Sequence, residues 1–190
     1  ATLEKVPAIS TMSMALGRMF RYSIKTESEL VPLKEELRHT ADYSTIQEIR
    51  FNHQYTLKID VPEDYCEIVV LKLILQPLVE NAIMHGLERK VEGGWVRITA
   101  YVTERRFVVQ VVDNGVGMSE ERLELLNRTM KMNPVHQTIS QDKNHSGIAL
   151  ININKRLKLK YGNQFGIILS STPNIRTVTE VVLPLLLNRK

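Results

Sequence analysis

The segment WVRITAYVTERRFVVQVVDNGVGM, residues 95–118, constrains the fold more than any other. Two runs rich in β-branched residues flank the charged turn TERR, which predicts an antiparallel pair over 95–102 and 107–112. The second run ends on Asp113 and Asn114, and Gly115 and Gly117 follow with one valine between them. A buried carboxylate needs hydrogen-bond donors, and glycines permit positive φ and close backbone approach. Two uses fit this pattern. One is a plain Asn-Gly turn. The other is a strand end that presents Asp113 to a ligand, with the glycine backbone lying close to a flat ring.

Helices and strands alternate around this hairpin. Residues 1–25 place Ile9, Met12, Leu16 and Met19 in steps of three and four, an a/d seam. No earlier helix covers that seam, so its expected partner is another chain or an upstream segment. Ser28, Glu29 and Pro32 mark a helix start, and helical spacing resumes over 33–50. QYTLKIDVP alternates Tyr55, Leu57, Ile59 and Val61 and stops at Pro62, a half-buried strand. Residues 66–90 are apolar on most sides, which predicts a core helix kinked or restarted at Pro77. Ser119, with Glu120 and Glu121 behind it, starts a helix that runs to about 130. Residues 131–146 are polar and aperiodic, the pattern of a mobile loop. A helix follows over 147–161, stopped by Gly162, and then strands over 165–171 and 176–186. The expected class is α+β: a two-layer sandwich with a mixed, mostly antiparallel sheet and helices on one face.

Composition removes several function classes. The lone cysteine, Cys66, excludes an internal disulfide framework and a cysteine-built metal site. No apolar run is long enough to span a bilayer, so membrane attachment is expected only through segments outside this chain. The net charge is +4, and the densest basic stretch, NKRLKLKYG, holds Lys155, Arg156, Lys158 and Lys160. Aromatics do not interleave with it, which argues against a nucleic-acid partner. It reads either as a solvated helix face or as an electrostatic funnel for an anion such as a nucleotide.

Two more places carry chemistry. In LVENAIMHG, Glu80 and Asn81 interrupt an apolar helix, and Asn81 shares a face with His85. An amide oxygen suits Mg²⁺, which takes its remaining ligands from water and phosphates. Glu80 has the chemistry to orient or deprotonate a water. The alternative is that Asn81 bonds to backbone and His85 lies at a rim. In HSGIALININKRL, Gly147 opens a helix whose free N–H groups suit a phosphate, with Asn152 and Arg156 on one face further down. An ordinary glycine before an ordinary helix is the plainer alternative.

The order of these pieces resembles the Bergerat ATP-binding fold shared by histidine kinases, type II topoisomerases, ninety-kilodalton heat-shock chaperones and mismatch-repair ATPases. LQPLVENAIMHG, together with FRYS and EELRHTADYSTIQEIRFN ahead of it, is similar to sensor histidine kinases of the LytS/YehU type. The resemblance implies roles for seven positions: Asn81 holds Mg²⁺, Asp113 reads the adenine amine, Gly115 and Gly117 form one glycine box, Gly147 the second, and Asn152 and Arg156 belong to the following helix; Glu80 and His85 stay candidates from the residues alone. It implies transfer of the γ-phosphate of Mg-ATP to a histidine upstream of this chain. It also implies a response regulator as partner, a homodimer in the full-length protein, and a cytoplasmic domain of a protein anchored in the bacterial inner membrane. Residues 1–26 then read as a remnant of the dimerisation and phosphoacceptor region, and 27–190 as the catalytic domain.

Departures from the pattern favour an alternative, a degenerate nucleotide module that signals through protein contacts. Met84 stands where the family often has Lys, Ala149 where it has Gly, and Arg176-Thr177 where it has Gly-Thr. None of the histidines at 39, 53, 85, 136 and 145 lies in an acceptor motif. Pro77 occupies the place of the catalytic Glu of the topoisomerase class, which argues against an ATP-hydrolysing clamp.

Overall fold

The computed structural model describes residues 6–24, 28–87, 93–132 and 147–185. The loop expected over 131–146 therefore lies outside the described residues from 133 onward. The described residues include seven strands: β1 Leu30–Pro32, β2 Tyr55–Asp60, β3 Val69–Leu71, β4 Gly94–Val102, β5 Arg106–Asp113, β6 Gly166–Thr172 and β7 Arg176–Pro184. Five of them form the main sheet in the order β2-β4-β5-β7-β6. Only β2 and β4 run parallel; the other pairs are antiparallel. Alternation decides the faces. Val96, Ile98, Val109, Val111, Val181 and Leu183 point inward and are buried. Opposite them, Tyr101 and Gln110 donate to Glu180 on the outer face.

The inner face carries α2 Leu33–Arg50, α3 Leu75–Asn81, α4 Glu120–Lys131 and α5 Ile148–Tyr161. The α+β sandwich with helices on one face is as expected. Ser119 caps α4, its hydroxyl accepting from Arg122 N–H. Three of the four cations of the basic run on α5 are engaged with neighbouring elements. Lys158 donates to the Met130 carbonyl at 2.6 Å, Lys160 to Glu29 at 2.6 Å, and Arg156 to backbone carbonyls of residues 72 and 73. These cations tie α5 to its neighbours.

Two expectations are corrected. The 66–90 run is not one helix. Val69–Leu71 is a strand paired antiparallel with Leu30–Pro32, and the helix begins only at Leu75. Pro77 thus sits in the first turn, where its missing N–H is not needed and no kink results. The helix widens into a π turn over Ala82–Leu87, a distortion often found at functional sites. The second correction concerns α1, Val6–Ile24. It packs along α2 of the same chain. Ala15 is fully buried there, and Arg18 pairs with Asp42 at 2.6 Å. The expected seam splits: Met12 and Met19 are half-buried, while Ile9 and Leu16 face solvent with Phe20 and Ile24.

Candidate functional site

Strand β5 lies at the centre of the sheet, and its last residue is Asp113, paired with Val96 on one side and Thr177 on the other. The carboxylate is 4% exposed. Its Oδ1 accepts from the Gly115 N–H at 2.9 Å, an Asx-type turn.

The glycines hold the strand-end loop against two neighbours. A Cβ on Gly115 would lie 2.2 Å from the Gly86 carbonyl oxygen, and Val116 N–H donates to that same oxygen at 2.9 Å. What comes close to Gly115 is therefore the π turn, not a flat ring. Gly117 has φ +65°, and a Cβ there would meet the Thr172 carbonyl at 2.4 Å. Met118 N–H donates to Ser171, and Asn174 N–H to the Val116 carbonyl, which straps the loop to the β6–β7 turn.

This geometry opens a cavity of about 350 Å³. Of the expected residues, Asn81, His85, Asp113, Gly117 and Gly147 line it. Asn81 is half-buried, and its side chain has no hydrogen-bond partner among the described residues. Gly147, with φ +112°, is the N-cap of α5 and supplies no side-chain cap. The first amides of α5 thus lack a capping side chain beside the cavity, a setting for an anion.

The other expected residues lie elsewhere. Gly115 supports the loop from behind. Glu80 is exposed and outside the lining, and its charge adds to the burial that raises the Tyr43 phenol pKa, which sets Glu80 near α2. Asn152 is exposed on α5, and Arg156 binds carbonyls at the start of α3; neither touches the cavity. The sequence did not single out Gly86, Met118 and Arg122, and marked Thr177 only as part of a departure from the family; all four are in the lining. A signal existed for Gly86, the glycine that ends LVENAIMHG. A Cβ there would lie 2.5 Å from Asp113 Oδ1.

Among the described residues, no group of three or more His, Cys, Asp and Glu could hold a metal. A metal here would need phosphate oxygens as its principal ligands, with the Asn81 amide oxygen as a protein contact. That donor set fits Mg²⁺.

Residues 66–187 match the model of the histidine kinase-, DNA gyrase B-, and HSP90-like ATPases. The chain belongs to that ATPase family. Residues 1–55 match a second model, described as histidine kinase. The sensor protein kinase HptS of Staphylococcus aureus (strain bovine RF122 / ET3-1) is 33% identical over 175 residues, which cover 92% of this chain and 32% of that protein. The chain thus spans about a third of the length of the curated relatives it matches. The histidine kinase domain of the Erythrobacter litoralis EL346 blue-light activated histidine kinase superposes with a TM-score of 0.55. It is 15% identical and covers 96% of this chain and 81% of that one. The catalytic domain of histidine kinase ThkA gives a TM-score of 0.54 at 16% identity, over 82% of this chain and 94% of that one. These two likenesses are of fold.

Within the ATPase family, the three departures now have positions. Met84 is half-buried in the π turn. Ala149 is exposed on the first turn of α5. Thr177 remains at the cavity although Arg176 replaces the glycine before it, and Arg122 is a further lining residue.

Proposed function

We propose that this chain is the ATP-binding catalytic part of a sensor histidine kinase, directing the γ-phosphate of Mg-ATP to a histidine outside it. The observation that carries the proposal is the single cavity shared by Asp113, Asn81 and the α5 N-terminus at Gly147. Asp113 accepts a hydrogen bond from the adenine amine. Asn81 offers its oxygen to Mg²⁺, and the α5 amides face the phosphates. Magnesium supplies charge neutralisation to the phosphoryl group, and the remaining contribution is positioning. Glu80 stands outside the cavity on the α2 side, suited to hold a proton of an incoming acceptor.

The partner assignments belong to the same proposal. The solvent-facing stripe of Ile9, Leu16, Phe20 and Ile24, between 47% and 71% exposed, supports a homodimer built through residues 1–26, ahead of a catalytic domain over 27–190. A response regulator receives the phosphate. No helix among the described residues is long and apolar enough to cross a membrane, and an inner-membrane anchor in segments outside this chain is part of the proposal.

The test is a titration of ATP into the chain with Mg²⁺ and again with a chelator. The proposal expects saturable one-site binding, strengthened by the metal. No binding in either condition would refute it.

A further inference from the structure

Helix α3 has only seven residues, and its last is Asn81. Its N-cap residue, Ile74, provides no side-chain cap. The free amides are taken instead by a carboxylate from another helix. Glu36 of α2 is fully buried. Its Oε1 accepts from Leu73 N–H at 2.6 Å, and its Oε2 from Ile74 and Leu75 N–H at 2.8 and 3.0 Å.

Arg156 of α5 grips the same turn by its carbonyls. It donates to Lys72 O at 2.7 Å and Leu73 O at 3.3 Å. Between the two charges, Leu73 has φ +60°. A leucine rarely adopts that left-handed backbone, and such strain persists only where the surroundings over-determine it. Tyr22 of α1 completes the arrangement. Its hydroxyl donates to Glu36 Oε1 at 2.5 Å, and the Lys72 ammonium lies 4.8 Å from its ring centroid. The ring also packs 4.5 Å from His39, whose Nε2 hydrogen-bonds Gln76 Oε1 at 2.8 Å.

We propose that Glu36 and Arg156 are positioning residues of the nucleotide site, clamping the strained Leu73 turn so that α3 presents Asn81 to the cavity, with Tyr22 joining the clamp to α1. This rests on the reading of Asn81 as the contact to nucleotide-bound Mg²⁺. Opposite charges on the amides and carbonyls of one turn leave it little freedom to rotate. Leu75 and Asn81 are about 9 Å apart along the axis at 1.5 Å per residue. A tilt at the start of α3 therefore moves the Asn81 amide relative to Asp113, which is fixed in the sheet.

The readout is the Mg²⁺ enhancement, the ratio of ATP affinities with Mg²⁺ and with chelator. Supporting shells around metal ligands typically contribute 10–100-fold in metal affinity. Glu36→Gln puts an NH₂ group against backbone donors, and Arg156→Lys loses the fork that spans two carbonyls. Each is expected to lower the enhancement roughly tenfold or more, with chelator affinity little changed. Tyr22→Phe is expected to lower it about threefold, by one lost hydrogen bond, and to speed hydrogen exchange at the Leu73, Ile74 and Leu75 amides. Leu183→Ala, in the buried sheet, is the control: it lowers the melting temperature and keeps the parent enhancement.

If Glu36→Gln does not fold, Arg156→Lys and Tyr22→Phe decide. Variants that melt earlier, as the control does, yet keep the parent enhancement would overturn the clamp alone. A parent chain with no Mg²⁺-dependent ATP binding would overturn the clamp together with the functional reading.

Discussion

At the scale of single residues, the proposal gives the adenine contact to Asp113 and the metal contact to Asn81, and each assignment can fail separately. Asp113→Asn keeps an oxygen for the Gly115 N–H but sets an NH₂ group against the adenine amine. A lost hydrogen bond is worth about 0.5–1.5 kcal/mol, more when a buried donor is left unpaired. ATP affinity is expected to fall roughly threefold to tenfold or more by that measure, with the melting temperature close to the parent. Calorimetric titration checks this, and unchanged affinity would remove Asp113 from the adenine contact. Asn81→Ala is expected to abolish the strengthening by Mg²⁺ while chelator affinity stays near parent, because only the metal contact is lost. Equal metal enhancement in mutant and parent would contradict it. Asp113 and Asn81 stood out in the sequence because each breaks an apolar run. Glu36 did not. It sits in an ordinary polar helix face, and its partners are 37 to 39 residues away. Arg156 was visible as a charge, but its carbonyl partners 83 and 84 residues off were not.

At the scale of elements, β2 was legible through the alternation of Tyr55, Leu57, Ile59 and Val61, β4 and β5 through the β-branched runs on either side of TERR, and the α4 start because Ser119 precedes two acids. The run over 66–74 was not. A short buried strand and a buried helix segment look alike when every position is apolar, and only pairing with Leu30–Pro32 decides between them. This leads to a prediction about Pro77. In a helix interior, proline costs about 3 kcal/mol relative to alanine, so a kinked helix would gain by Pro77→Ala. In the first turn that penalty is absent. Pro77→Ala is therefore expected to change unfolding free energy by less than about 1 kcal/mol in denaturant titration. A gain near 3 kcal/mol would show an interior proline. The loop and the π turn make the opposite case. Gly115→Ala drives a methyl to 2.2 Å from the Gly86 carbonyl, and backbone cannot yield as a side-chain tip does. Overpacking of this kind typically costs about 1–3 kcal/mol, and ATP binding should weaken with it, since Gly86 rests on Asp113. Parent stability and parent affinity together would contradict the close approach.

At the scale of the whole molecule, the end of α3 with its π turn, the end of β5 and the starts of α4 and α5 meet around one cavity, to whose lining α1 and α2 contribute nothing, and the described histidines lie at separate places around it. His39 is buried between Tyr22 and Gln76, and His53 is exposed beyond the end of α2. His85 lines the cavity but is rooted on the π turn that continues α3 beyond Asn81. On the proposed reading that is the metal side of the nucleotide, so His85 is not expected to act as the acceptor. Phosphoryl transfer depends on an acceptor nearly in line with the leaving group, and positioning supplies much of the rate. The central claim, that this chain binds Mg-ATP and phosphorylates a histidine it does not contain, is tested most directly by label transfer. The chain is incubated with γ-labelled ATP and Mg²⁺, alone and with a separate helical segment bearing an Asn-Pro-His-Phe type acceptor motif. The account predicts acid-labile label on the added segment, lost with Asp113→Asn, and none on the chain itself. Acid-labile label accumulating on this chain, or none on the segment while ATP is bound, would contradict it.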